Sequence, residues 1–209
     1  MKLYIKILII FSLAIICKYI FQEFYFSIKP QSVYCNFNFQ NLQNGDLIFR
    51  RGRSVESHVV LASDHKSNFS HVGIIYIENH VPFVIHAVPG ENKGGKDYIK
   101  KELVEDFLLP DKASEFAIYR TDFPQEINDQ AAINAHLYYL HKLIFDDKYD
   151  LSTDDKLYCT ELIIKAFQHA RQNTWNINTT TLNILFGNIE IIMPGNFIEN
   201  QHLHPIINF

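Results

Sequence analysis

The sequence has little cysteine, glycine and proline, and no excess of basic residues. Its 209 residues include 3 Cys, 8 Gly and 7 Pro. Three cysteines are too few for a disulfide scaffold, and the odd number leaves at least one thiol outside any intramolecular pair. The low glycine and proline content excludes a collagen-like or low-complexity chain. A formal net charge of -4 argues against a nucleic-acid partner, since nucleic-acid-binding proteins normally carry a basic excess.

What is present is an ordinary globular composition, with 47% hydrophobic residues. The length suits one domain with a short appendage. We place the appendage at residues 1–30 and the domain at residues 31–209.

The appendage has the pattern of a signal peptide or membrane anchor. Lys2 and Lys6 precede an apolar run from Ile7 to Cys17, which is typical of a signal peptide core and shorter than the roughly 20 residues of a membrane span. No small-x-small cleavage site follows, so an uncleaved anchor stays open, while bulky Ile16 disfavours lipoprotein processing. Either form predicts an extracytoplasmic domain, periplasmic or in the cell envelope, with membrane association through the segment.

Strand-like runs come early in the domain and longer helices come late, which predicts an α+β fold. The predicted strands are Leu47–Phe49, His71–Ile77, Pro82–Val88 and Glu115–Arg120. The second and third are separated by a short break, which is typical of a β-hairpin. Apolar residues at helical spacing predict helices over 54–63 and from Ile127 to about Leu143.

Cys159 begins the clearest helical pattern, with apolar residues at offsets of 3, 4, 7, 8 and 11. This spacing places the thiol in the first turn, on the inward face. The unpaired N–H groups and partial positive charge of a helix N-terminus favour a thiolate and are suited to holding an oxyanion. Two structural roles are the alternatives for Cys159. It could be a buried thiol that only packs, or it could form a disulfide with Cys35 in an oxidising compartment.

Two histidines, His71 and His86, fall inside the predicted hairpin. A buried imidazole is costly unless it has a partner, and antiparallel neighbouring strands would bring these two rings together. A cysteine nucleophile needs an imidazole base and a third group that orients it. The pattern therefore favours a Cys159, His71 and His86 site over purely structural histidines.

A metal site is the competing interpretation of the abundant histidines. The pairs His136/His141 and His202/His204 lack a recognised ligand spacing. We therefore predict neither a metal nor a cofactor.

Several blocks of the sequence together resemble a known family. They are Gly45–Phe49, Phe69–Ile74, Val84–Ala87, Tyr149–Asp150 and Tyr158–Ile163. In this order they are similar to the circularly permuted papain-like branch of the NlpC/P60 superfamily, the YiiX/YebB-like cysteine hydrolases. The resemblance covers about Leu42–Met193, and the permutation accounts for a histidine that precedes the cysteine.

The resemblance implies a permuted papain-like domain with a small antiparallel sheet packed against helices. It implies that Cys159 is the nucleophile, His71 the general base and His86 the third polar residue, where relatives often have an acid. Tyr158 matches a tyrosine beside the nucleophile and is expected to line the oxyanion site. Asp46 is expected to cap the turn before its strand.

The implied activity is a thiol-dependent hydrolase that cleaves amide bonds of a cell-envelope substrate, such as a peptidoglycan fragment. A lipid acyl hydrolase or acyltransferase is an alternative, since permuted members also resemble the lecithin:retinol acyltransferase group. That group has an Asn-Cys-Glu-His block where this chain has Tyr-Cys-Thr-Glu. A non-catalytic envelope-binding module is the third alternative, and the intact cysteine and histidines speak against it.

Overall fold

The structure is a computed structural model that describes residues 39–90, 95–170, 175–184 and 187–208. The predicted export or anchoring segment, with Cys17, and also Cys35 lie outside the described residues. Within the described ranges no helix combines the length and the apolar character that a membrane crossing requires.

An antiparallel sheet forms the centre of the described domain. The strands are β1 (Leu47–Gly52), β2 (His71–Glu78), β3 (Val81–His86), β4 (Lys100–Leu103), β5 (Ala113–Thr121), β6 (Ile144–Phe145), β7 (Lys156–Leu157), β8 (Thr180–Ile184), β9 (Gly187–Ile191) and β10 (Leu203–Asn208). Six of these described strands pair in the order β10-β5-β1-β2-β3-β4, each antiparallel to its neighbour. β6 and β7 form a short parallel pair, and β8 and β9 an antiparallel hairpin.

Helices are placed along and around this sheet. They are α1 (Val55–Ser63), α2 (Val104–Phe107), α3 (Gln125–Leu140), α4 (Cys159–Ala170) and α5 (Pro194–Ile198), with a short 3-10 helix at Phe39–Asn41. The predicted α+β class is therefore confirmed. The helix predicted to run to Leu143 ends at Leu140, because Lys142 takes a left-handed backbone with φ of 55°.

The two faces of the sheet have different neighbours, because side chains alternate along each strand. On one face Phe49, Val72 and Ile74 join the hydrophobic core that also contains Ala131 of α3 and Phe167 of α4. On the other face lie the alternate residues of β1, β2 and β3. The second face carries the histidines, so the core and the polar cluster are separated by one layer of sheet.

The predicted hairpin is confirmed, with β2 and β3 in antiparallel register. Its two turn residues, Asn79 and His80, both have positive φ, 51° and 66°, as the favoured two-residue hairpin turns require. The helix predicted over 54–63 is also present as α1. Its apolar residues do not enter the core, since Val55 and Val59 are 77% and 61% exposed.

Asp46 stabilises the entry to β1 through two sets of contacts. Its carboxylate accepts a hydrogen bond from the Gln43 backbone N–H at 2.8 Å, as expected for a turn cap. It also accepts two hydrogen bonds of 2.7 Å from the Arg120 guanidinium on β5. A forked pair of this kind is the strong form of an ion pair, and it ties β1 to its neighbour.

We expect Asp46→Ala to lower the free energy of unfolding by about 2–3 kcal/mol, because it leaves Arg120 without this partner. The loss stays below that of a fully buried pair, since the Arg120 side chain is 30% exposed. Glu199→Ala, which breaks the exposed Lys66–Glu199 pair, is the matched control and should cost less than about 1 kcal/mol. Urea unfolding of both variants measures the difference, and equal losses would contradict the assignment.

Candidate active site

Cys159 is the first residue of α4 and opens on a cleft of about 620 Å³. The start of the helix is anchored from several sides. The Glu161 carboxylate reaches back to the Tyr158 backbone N–H at 3.3 Å, and Thr160 donates to the Ile192 carbonyl at 2.7 Å. These contacts hold the first turn of α4, and so the thiol, in one position.

Glu161 itself is fully buried and serves this anchoring rather than the cleft. Its carboxylate lies 3.1 Å from Lys165 one turn later. Burial raises the pKa of Glu161 to about 7, against the opposing effect of Lys165. The side chain is therefore structural.

His71 and His86 are in direct contact, as the hairpin predicted. Nε2 of His71 lies 2.8 Å from Nδ1 of His86, with both rings buried. Phe107 of α2 packs against both, stacked on His71 and edge-on to His86. Since His86 occupies Nε2 of His71, Nδ1 is the ring nitrogen of His71 that lies outside this contact.

Gly73 makes this contact possible. A Cβ at Gly73 would lie 3.2 Å from the Cβ of His86 and would overlap the Val84 side chain. The glycine of the Ser-His-Val-Gly block therefore lets β3 approach close enough for His86 to meet His71.

Glu102 of β4 extends the cluster, and sequence reasoning missed it. Its Oε1 lies 3.0 Å from Nε2 of His86, a close polar contact whose angle falls outside hydrogen-bond geometry. Its other oxygen lies 2.8 Å from Lys112 and 3.5 Å from Lys100. Lys100-Lys101-Glu102 has no strand-like pattern, so only the pairing of β4 with β3 reveals the contact.

Arg50 places a buried positive charge beside the same cluster. It lies opposite His71 in the β1–β2 register. Its guanidinium sits 4.4 Å from the centre of the Phe107 ring and donates to the Phe107 carbonyl at 2.9 Å. Its charge favours the thiolate of Cys159 and disfavours an imidazolium at His71.

Tyr158 borders the cleft but is almost fully buried. Its hydroxyl accepts a hydrogen bond of 3.1 Å from the Ile192 backbone N–H, and its ring packs against Tyr149. These contacts give it a packing role. Its predicted part in holding an oxyanion stays a prediction.

The histidines of the rejected metal interpretation lie elsewhere. His136 stacks on Tyr76, and His202 contacts Asp122 at 2.9 Å. Over the described parts of the chain, no three His, Cys, Asp or Glu side chains converge as metal ligands would.

Comparison with known proteins identifies the family. Residues 41–207 match the model of the permuted papain-like amidase enzymes, the YaeF/YiiX or C92 family. The chain belongs to this family. The resemblance predicted from the sequence blocks is thereby confirmed, and the family's class is that of an amidase-type hydrolase.

The chain is also similar to two proteins named YiiX. The YiiX protein of Escherichia coli strain K12 is 26% identical over 131 residues, which cover 61% of this chain and 58% of that protein. The crystal structure of YiiX from Escherichia coli O157:H7, described as a metalloprotein, has a TM-score of 0.65 at 20% identity. It covers 80% of this chain and 97% of that one, and it supports the same fold.

In this family member, burial favours the uncharged forms of Cys159 and His71. Burial raises the pKa of the Cys159 thiol to about 11, although the N–H groups of Val72, Thr160 and Cys159 and the charge of Arg50 act in the opposite direction. Burial, with Arg50, His86 and Lys100, holds the pKa of His71 well below its usual range. The helix N-terminus favours a thiolate, but desolvation favours the neutral thiol more strongly.

We expect alkylation of Cys159 by iodoacetamide to be slow at pH 7 and to keep rising above pH 9, because the thiol pKa is raised. Mass spectrometry of the peptide containing Cys159 follows the reaction. The same peptide in urea-denatured protein is the control, and its alkylation rate should have its pH midpoint at about 8.5, the pKa of an ordinary thiol. A rate in the folded protein that levels off at or below pH 7 would contradict a protonated resting thiol.

We expect Gly73→Ala to lower the free energy of unfolding by about 1–3 kcal/mol, because the new methyl group overpacks β3 against β2. Gly95→Ala is the matched control, since an added Cβ there meets nothing within 4 Å. The control should change stability by less than about 0.5 kcal/mol. Thermal or urea unfolding compares the two, and an unchanged Gly73→Ala variant would refute the close approach.

Proposed function

We propose that the protein is a thiol-dependent hydrolase that cleaves an amide bond of a cell-envelope substrate through an acyl-enzyme on Cys159. The observation that carries the proposal is the shared cleft of Cys159 and His71, with Nε2 of His71 already held by His86. A nucleophile, a base and an orienting group are the parts that acyl transfer requires.

The reaction follows from these positions. Nδ1 of His71 takes the Sγ proton while the sulfur forms a bond to the substrate carbonyl carbon. His71 then donates that proton to the leaving nitrogen as the C–N bond breaks. Water attacks the thioester carbonyl as His71 takes one of its protons. The C–S bond then breaks and His71 returns this proton to the sulfur, which releases a carboxylic acid and restores the thiol.

The neutral resting pair fits this sequence of steps. A protonated thiol and a neutral imidazole avoid two buried charges until substrate is bound. We propose that the charge then appears on the carbonyl oxygen and that the N–H groups at the start of α4 stabilise it. We propose that Tyr158 contributes to this site through its position beside Cys159.

The substrate and location rest on the cleft and on the N-terminal pattern. Arg50, Arg53, Lys100 and Lys112 border the cleft, compared with Glu56 and Asp111 among its described acidic residues. A basic excess suits an anionic substrate such as a peptidoglycan fragment. We propose an extracytoplasmic site of action, with the segment 1–30 as signal peptide or anchor, and no nucleic-acid partner.

A lipid acyl bond is the second candidate, favoured by apolar groups at the same cleft. Val60, Val88, Phe145 and Tyr149 contribute to its lining, and an acyl chain gains free energy by burying against such surface. The proposed reaction uses no metal ion or cofactor in either case, and the metalloprotein description belongs to the Escherichia coli neighbour.

A substrate panel tests the proposal. Purified muropeptides, acyl esters and N-acyl lipids are incubated with the wild type, and mass spectrometry detects the released acid and amine or alcohol. We expect turnover of an amide substrate and a loss of about 1,000-fold or more in Cys159→Ala, because the nucleophile is absent.

Cys35→Ala is the matched control and should retain activity. Equal turnover by Cys159→Ala and wild type would exclude the cysteine mechanism. Tight binding of a panel member without any product would instead indicate a binding module, and ester cleavage alone would favour the lipid substrate.

A further inference from the structure

The contact between His86 and Glu102 carries an inference about how the base is oriented. β3 and β4 pair with Val84 opposite Glu102 and His86 opposite Lys100. Glu102 is thus the diagonal neighbour of His86 on the same face of the sheet, a distance that long side chains span. The contact comes from sheet register, not from proximity in sequence.

Glu102 is held in its ionised form. Burial alone would raise its pKa, but the contacts with His86, Lys112 and Lys100 outweigh burial and hold the pKa of Glu102 well below its usual range. An ionised carboxylate only accepts hydrogen bonds. The proton between Glu102 and His86 therefore belongs to Nε2 of His86.

The proton on Nε2 of His86 also determines the tautomer of His71. Both rings are buried, and burial disfavours the charged form of an imidazole. A His86 that stays neutral, with its proton on Nε2, has an unprotonated Nδ1, which accepts a hydrogen bond from Nε2–H of His71 across 2.8 Å. A neutral His71 with its proton on Nε2 has a bare Nδ1. The charge of Glu102 thus selects, through His86, which nitrogen of His71 is basic.

We propose that Glu102 is the positioning residue of this site, setting the tautomers of His86 and His71 so that Nδ1 of His71 accepts the Cys159 proton. The inference rests on the proposed function for the role of His71 as base. It replaces the direct acid of a Cys-His-acid arrangement by an acid that acts through a second imidazole.

The proposal also accounts for the charge that forms during catalysis. When Nδ1 of His71 takes the Sγ proton, the ring becomes an imidazolium in a setting that already holds Arg50 and Lys100. Nε2–H of His71 then donates to His86, whose Nε2–H faces the Glu102 carboxylate 3.0 Å away. No proton reaches Glu102, and its negative charge offsets the positive charge that has formed.

The test compares Glu102→Gln with Glu78→Gln, a matched control on the same sheet. Glu78 pairs with Lys101 at 2.9 Å, so Glu78→Gln also removes a carboxylate–lysine pair. A glutamine at 102 presents either an oxygen or an N–H to His86, so both tautomers become accessible. Two-bond 1H–15N NMR spectra at constant pH report the tautomer of each histidine, with a His71→Asn variant for assignment.

We expect the wild type and Glu78→Gln to show His71 and His86 protonated on Nε2, and Glu102→Gln to lose this preference. With a substrate from the panel, Glu102→Gln should lower kcat by about 10- to 100-fold, a part of what a general base contributes, with little change in KM. Glu102→Asp keeps the charge and should retain the wild-type tautomer. Urea unfolding checks that each variant folds.

A wild-type His71 protonated on Nδ1, or an unchanged tautomer in Glu102→Gln, overturns the inference. If Glu102→Gln keeps wild-type kcat while Cys159→Ala is inactive, the proposed function stands and the role of Glu102 fails. If no panel substrate is cleaved, the NMR comparison alone decides the positioning role.

Discussion

The contact of His71 with His86 is the interaction on which the described site depends. Both rings are buried, at 6% and 0% exposure, and a buried imidazole is costly unless its nitrogens have partners. The β2–β3 register supplies the first partner, and Gly73 supplies the close approach of the two strands. Phe107 closes the face on which the rings lie. The β2–β3 pairing, the glycine at 73 and the Phe107 ring together hold the two histidines buried against one face of the sheet.

Desolvation is the second constraint, and it explains why charges surround a neutral pair. Burial favours the uncharged forms of both Cys159 and His71. Arg50 and the backbone N–H groups near the sulfur partly offset this for the thiolate. Glu102, held ionised by His86 and by the lysines on its other oxygen, stands on the opposite side of the histidines. The site therefore rests without a charged nucleophile or base, while the groups that favour charge separation are already in place.

Much of the framework was predictable because it depends on neighbours along the chain. The apolar offsets after Cys159 predicted α4, and the Asn79-His80 break between β-branched runs predicted the hairpin that joins the two histidines. Glu102 was not predictable, since a run of charged residues has no strand period and its meeting with His86 depends on register. The exposure of Val55 and Val59 was equally hidden, because helical spacing gives a face and does not say what covers it.

The amino-acid sequence by itself determined where several helices and strands lie and which of their residues share a face, and it placed a cysteine at a helix start and two histidines in neighbouring strands. Those properties arise from hydrogen bonds and side-chain periods over a few residues. Only the tertiary structure decided three features of the site. They are the burial that favours a protonated Cys159, the position of Arg50 beside His71, and the contact of Glu102 with His86. Desolvation and charge interactions act through space, between residues such as Arg50, Glu102 and Cys159 that only the folded sheet brings together.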